Sequence, residues 1–123
     1  MKNNELTMQL QVVIAFVDGL VPLEYREREV VLNAFRNATK RMKCYLVNYR
    51  FGERWMELIL DHSPGFDISK LMRCFKAVSS RNIHTLRGNA SGIWAPGYVV
   101  RTIGEPVEPE AVFQSLLTVG SDL

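Results

Sequence analysis

Glu57, Asp61 and His62 come nearest to a catalytic grouping in this 123-residue chain, since two carboxylates and an imidazole could hold a divalent cation for phosphoryl chemistry. Their spacing argues against it. Glu57 and Asp61 share parity on a strand, yet at about 3.3 Å per residue they stand about 13 Å apart, too far to share one ion. His62 and His84 lack the i, i+2 spacing that would put two imidazoles on one sheet face. Tyr25, Tyr45, Tyr49 and Tyr98 are the available phenols; Tyr45 and Tyr49 lie at strand spacing and read as core or sheet-surface packing. Cys44 and Cys74 form no CxxC pair and read as buried, inert, reduced thiols of a cytoplasmic protein.

Charge points more firmly. The net charge is only +2, but residues 30–101 hold twelve basic and four acidic side chains, a local balance of +8, while the two ends together carry −6. A basic middle between acidic ends predicts a one-sided electrostatic surface of the kind that meets nucleic acid. The candidate phosphate contacts are Lys70, Arg73, Lys76, Arg81, Arg87 and Arg101, with Arg36 and Lys40 from an earlier helix. The last two also follow the helix dipole, which favours acids early and bases late, so structure alone can explain them.

The elements that must position these groups are legible in the periodicities. Leu6 to Phe16 alternate with a period of two and predict a first strand. Residues 24–42 place Val30, Val31, Ala34, Phe35, Ala38 and Met42 at helical spacing. Residues 44–51 and 54–60 read as strands joined at Gly52-Glu53. A helix capped by Asp67 or Ser69 runs to about Thr85 with its stripe on Ile68, Leu71, Phe75, Val78 and Ile83. Residues 97–103 form a last strand and 109–118 a short helix. The order β-α-β-β-α-β-α predicts one α+β domain over residues 1–123: a ferredoxin-like split β-α-β sandwich, its antiparallel sheet covered by helices on one face. At 47% apolar residues the chain can bury a core, and no run approaches the roughly 20 apolar residues of a membrane span.

Two blocks carry a family resemblance. Lys76-Ala77-Val78-Ser79-Ser80-Arg81 is followed by Gly92-Ile93-Trp94-Ala95-Pro96-Gly97-Tyr98-Val99-Val100-Arg101-Thr102-Ile103-Gly104, and residues 69–104 resemble the single-tyrosine (HUH) transposases of the insertion-sequence 200/605 superfamily. The resemblance implies the same ferredoxin-like fold, an obligate dimer, and recognition of DNA hairpins. It also implies a divalent metal such as Mg or Mn, held by two histidines one residue apart on the third strand, and a nucleophilic tyrosine on the terminal helix. Aligned on that pattern, the histidine positions read Trp55 and Glu57, the tyrosine reads Ser115, and a further polar ligand falls near Val119. Ser115 has no base near it in sequence. The expectation is therefore a degenerate catalytic set (Trp55, Glu57, Ser115) with no cofactor.

What the resemblance leaves is binding. The chain is expected to be a homodimeric, cytoplasmic, non-membrane protein that binds hairpin or single-stranded DNA, with RNA as another candidate, and acts as a regulator rather than a strand-transfer enzyme. Trp55 and Trp94 are candidates for stacking on an unpaired base, against packing roles for both. The alternatives are a protein-interaction module that pairs with an active transposase, and a residual nuclease built on Glu57 with Asp61 or His62.

Overall fold

Alternation in the first run becomes strand β1 (Met8–Ala15), and the helical spacing after it becomes α1 (Tyr25–Thr39). A hairpin of β2 (Cys44–Phe51) and β3 (Trp55–His62) leads to α2 (Ile68–Arg87) and then β4 (Val99–Thr102). A computed structural model describes residues 8–89, 92–103, 109–110 and 113–114. The sheet order is β2-β3-β1-β4 and every neighbouring pair is antiparallel. Each helix thus carries the chain over a strand that lies between its own two, the split β-α-β arrangement the sequence predicts.

Element ends follow local chemistry. In the first turn of α1 a carboxylate oxygen of Glu27 accepts from the Glu24 N–H at 2.8 Å, and Asp67 caps α2 by accepting from the Lys70 N–H at 3.1 Å. α1 stops at Thr39, short of the expected Met42, because the N–H groups of Arg41 and Met42 turn to carbonyls only three residues back. α2 runs on to Arg87 and ends where Gly88 takes φ +72°, a left-handed conformation that costs a glycine little. β3 extends to His62, which pairs with both Met8 and Cys44. β4 starts at Val99, two residues later than expected, since Gly97 at φ +80° breaks the extended run.

The two sheet faces are unlike. Period-two geometry sends Val12 and Ile14 of β1 and Met56, Leu58 and Leu60 of β3 to the helix side, where all are fully buried. They meet Val31, Leu32 and Phe35 of α1 and Leu71, Met72 and Phe75 of α2, with the Phe35 and Phe75 rings edge to face at 5.0 Å. Alternate positions turn Gln11, Val13, Glu57 and Ile59 to the other face, and these are buried as well. Pro109, Glu110, Phe113 and Gln114 are helical, as expected for the terminal helix; Ser115 and Val119 lie outside the described residues.

Candidate functional site

The positions where the resemblance expects metal-binding histidines lie on that second face. Glu57 is 3% exposed, and both its carboxylate oxygens are engaged. Gln11 Nε2 donates to one at 2.8 Å and Arg50 Nε donates to the other at 2.9 Å. Gln11 comes from β1, diagonal to Glu57 across the antiparallel pair, and Arg50 stands directly opposite it on β2. Burying an ionised carboxylate is costly unless it is paired and hydrogen-bonded, and this one is both. Arg50 keeps about half its side chain in solvent, so the cluster is sealed on the Gln11 side and open on the other.

Two residues earlier on β3, Trp55 is a packing residue rather than a metal ligand. Its indole lies so close over Gly52 that a Cβ there would stand 2.2 Å from Trp55 Cε2, which explains why the hairpin needs glycine at that point. Trp55 Nε1 donates to a Glu110 carboxylate oxygen at 2.9 Å, and the Arg54 guanidinium lies 5.1 Å over the Phe113 ring. Phe113 is 2% exposed. These contacts fasten the terminal helix to the hairpin end of the sheet.

A divalent ion does not fit this donor set. Trp55 has no lone pair to offer, Glu57 is committed to Arg50 and Gln11, and no three His, Cys, Asp or Glu side chains among the described residues converge on one point.

The expected cations divide into distinct groups. Lys70, Arg73 and Arg81 are exposed along one flank of α2, at spacings that keep them on a common face. Arg36 is exposed on α1, 5.9 Å from the Tyr49 ring, and Lys40 is exposed just beyond that helix. Arg101 is exposed on the opposite edge of the sheet, in register with Gln11. Lys76 and Arg87 do different work. Lys76 donates to the carbonyls of Ala95 and Gly97 at 3.1 and 3.3 Å, holding the loop into β4, and its burial lowers the ammonium pKa. Arg87 clamps Glu27 with bonds of 2.6 and 2.8 Å and reaches the Val21 carbonyl at 2.9 Å. That pairing holds the Glu27 carboxyl below its usual value and raises the guanidinium pKa.

Trp94 is built into the fold: it stacks on Phe16 at 4.8 Å and donates through Nε1 to Ser79 Oγ at 2.9 Å. Tyr49 is half-buried as expected, but Tyr45 is 76% exposed, its ring in solvent rather than packed. Cys44 is buried and its thiol is pushed up to about 11 by desolvation. Cys74 corrects the expectation of two buried thiols, because it faces solvent from α2. Gln11, Arg50 and Glu110 went unremarked in the sequence, since what matters about each is a partner dozens of residues away or, for Arg50, across a hairpin whose register periodicity does not give.

With this geometry in view, the chain can be set beside known proteins. Among the described residues no helix is long and apolar enough to cross a membrane. Comparison with curated proteins finds no match. Among solved structures, the chain is similar to a protein of Deinococcus radiodurans R1 provisionally described as a transposase, with a TM-score of 0.74 at 17% identity over 96% of each chain. It is also similar to a REP-associated tyrosine transposase solved bound to a REP hairpin, with a TM-score of 0.64 at 11% identity over 98% of this chain and 73% of that one. At such identities these two likenesses establish the fold. The family follows from a separate match, in which the model of the IS200-like transposases covers residues 8–114, and the chain therefore belongs to the IS200-like transposase family.

Proposed function

We propose that this chain is a DNA-binding member of its family that has given up strand transfer and holds hairpin or single-stranded DNA as a homodimeric regulator, within a mobile element or descended from one. The observation that carries the proposal is the committed cluster on β3: where family chemistry calls for two metal-holding side chains, this chain has Trp55 tied to Glu110 and Glu57 tied to Arg50 and Gln11. Such a face can still approach a phosphate backbone, but it offers no ligand set to polarise one. The exposed row of Lys70, Arg73 and Arg81 supplies a positive flank for backbone contact, and the hairpin-bound neighbour is a precedent for what such a scaffold can hold.

The test is binding of the purified protein to hairpin, duplex and unstructured DNA and to hairpin RNA, read by fluorescence anisotropy across a salt series. The same mixtures are then run with Mg²⁺ or Mn²⁺ and with chelator, and scored for nicked strand and covalent protein–DNA adduct. The expected result is salt-dependent hairpin binding, with a log–log slope of about −0.9 per neutralised phosphate on duplex and about −0.7 on single strands, and intact DNA throughout. Metal-dependent nicking that disappears in Glu57→Ala would overturn the loss of chemistry. Absence of binding at about 150 mM salt would overturn the DNA reading and leave a protein-docking scaffold, whose partner would be sought among active transposases.

A further inference from the structure

Arg50, Arg54 and Arg87 are each matched to a carboxylate, on Glu57, Asp18 and Glu27. Arg28 and Arg36 of α1 are matched to rings instead. The Arg28 guanidinium lies 5.1 Å over the Phe51 ring and that of Arg36 5.9 Å over Tyr49, two rings of β2 whose centroids are 6.2 Å apart. Neither arginine has an acid within ion-pair distance among the described residues. We infer that this stacked pair, with Lys40 one turn beyond Arg36, is a second line of contact for the phosphate backbone of DNA, along the β2 edge of the molecule. The inference rests on the DNA-binding function proposed above and adds to it a surface apart from the α2 flank.

The stacking follows from the register. Tyr49 and Phe51 stand opposite Leu58 and Met56 of β3, so both rings turn to the helix side, where they are half-buried against the core at the edge of the sheet. The flank of α1 above them must cover aromatic surface and still meet water, and arginine does both. A ring attracts a guanidinium through its negative face but cancels none of its charge. Arg28 and Arg36 are therefore steadied without being neutralised. A planar fork of N–H donors so held can meet a phosphate with two parallel bonds. The rings themselves are covered, by guanidinium on one side and core on the other. No platform is left on which a base could stack, so the line reads backbone and not sequence.

The charge around the pair selects a polyanion. Residues 28–43 hold five basic side chains against one acid, Glu29. Arg28 to Lys40 covers about 18 Å at a helical rise of about 1.5 Å per residue, longer than any single small anion. A DNA duplex offers one charge per about 1.7 Å of its axis. An extended acidic peptide offers at most one per about 3.3 Å, so DNA is the denser match to the row. Lys70, Arg73 and Arg81 form another line: they lie on α2, which Lys76 ties to the loop leading into β4 at the opposite edge of the sheet.

The experiment titrates the full chain with a DNA hairpin and with unstructured strands of unrelated sequence. Binding is read by fluorescence anisotropy across a salt series, and by NMR of the arginine side-chain Nε–H signals. The expected result is that the Arg28 and Arg36 signals shift when hairpin is added to the wild type. Arg28→Gln with Arg36→Gln is expected to flatten the log–log salt slope by about 1.8 on duplex and about 1.4 on single strands, and to weaken every sequence alike. Arg28→Lys with Arg36→Lys should restore the slope, because charge rather than shape sets counterion release. The NMR readout uses the wild type and so stands whether or not the glutamine variant folds. Unmoved Nε–H signals and an unchanged slope in the glutamine variant, while Lys70→Gln, Arg73→Gln and Arg81→Gln together flatten it, overturn the β2-edge line and leave the DNA-binding function standing. Larger shifts of the same two signals with a polyglutamate peptide of matched charge than with DNA overturn DNA as the occupant. No binding of the wild type to any strand overturns both.

Discussion

Leu58 and Glu57 are chain neighbours that face opposite sides of one sheet, and they are held by different physics. Leu58 meets hydrocarbon from two helices and is fully buried. Glu57 is nearly as buried but survives there only because Gln11 and Arg50 each bring a donor to it. The helix side is stabilised by area removed from water, a term indifferent to which apolar residue supplies it. The other side buries Val13 and Ile59 as well, but its polar cluster is stabilised pair by pair, and exchanging such a pair changes what the site can do without dissolving the fold. A chain can therefore keep the architecture of its family while the chemistry on one face is replaced.

The contrast predicts a ranking of losses, the largest on the helix side. Phe75→Ala removes a fully buried ring that meets Phe35 and sits beneath Trp94, and about 3–5 kcal/mol of unfolding free energy is expected to go with it, measured by urea denaturation. A loss below 1 kcal/mol would mean that the apolar face does not hold the fold. Next comes the clamp at the rim of the helix layer. Arg87→Met leaves Glu27, whose side chain is 10% exposed, without its partner, at an expected cost of about 2–3 kcal/mol. The sign with pH follows from the lowered Glu27 pKa. The pair contributes fully above the usual carboxylate value of 4.5 and its contribution is lost as pH falls through the lower folded value. Stability of the wild type should thus drop more steeply in acid than that of Glu27→Gln; equal slopes would remove the clamp from the ledger.

Gln11→Leu probes the second face, and its expected cost is smaller, about 1–2 kcal/mol, because Arg50 still holds one oxygen of Glu57. Chemical denaturation of this variant beside Phe75→Ala sets the two faces on one scale. If Gln11→Leu proves the costlier, the polar cluster rather than the apolar layer is the keystone of the sheet.

Much of the architecture was legible because it is written locally. Periods of two and 3.6, the Asp67 cap and Gly88 each act within a few residues, so the strand and helix order, the single-sided helix layer and most element ends could be read directly. The blocks at 76–81 and 92–104 carried the family. What sequence did not show is how cations find anions across the fold. Arg87 looked like a phosphate contact until the fold set Glu27, sixty residues away, against it. Lys76 sat on the apparent polar side of α2 until the loop into β4 laid two carbonyls over it. Glu57 could be recognised as a poor metal ligand, but its commitment to Gln11 required the β1–β3 register. Tyr45 shows the same limit in reverse: strand spacing placed it on the sheet, and only the bulge between Leu46 and Asn48 and the edge position of β2 explain why its ring is left in water.

The smallest expected effect concerns the two thiols and tests the contrast between buried and open positions without unfolding anything. The thiolate, not the thiol, is alkylated, so reactivity follows both pKa and access. Cys44 sits under the helix layer, and desolvation pushes its thiol up to about 11, which leaves almost no thiolate at pH 8. Cys74 is exposed on α2. Iodoacetamide at pH 8 should therefore label Cys74 in minutes and leave Cys44 intact until denaturant is added, with peptide mass spectrometry assigning each site. Because the folded thiol holds its proton more tightly than the usual value of 9.0, Cys44 should also make stability fall as pH rises from 9 to 11, and Cys44→Ala should flatten that slope. Equal labelling of both thiols in the native protein would mean that the β2 end of the sheet opens readily. That would place Cys44 on a locally opening margin of the sheet rather than in the rigid layer under the helices.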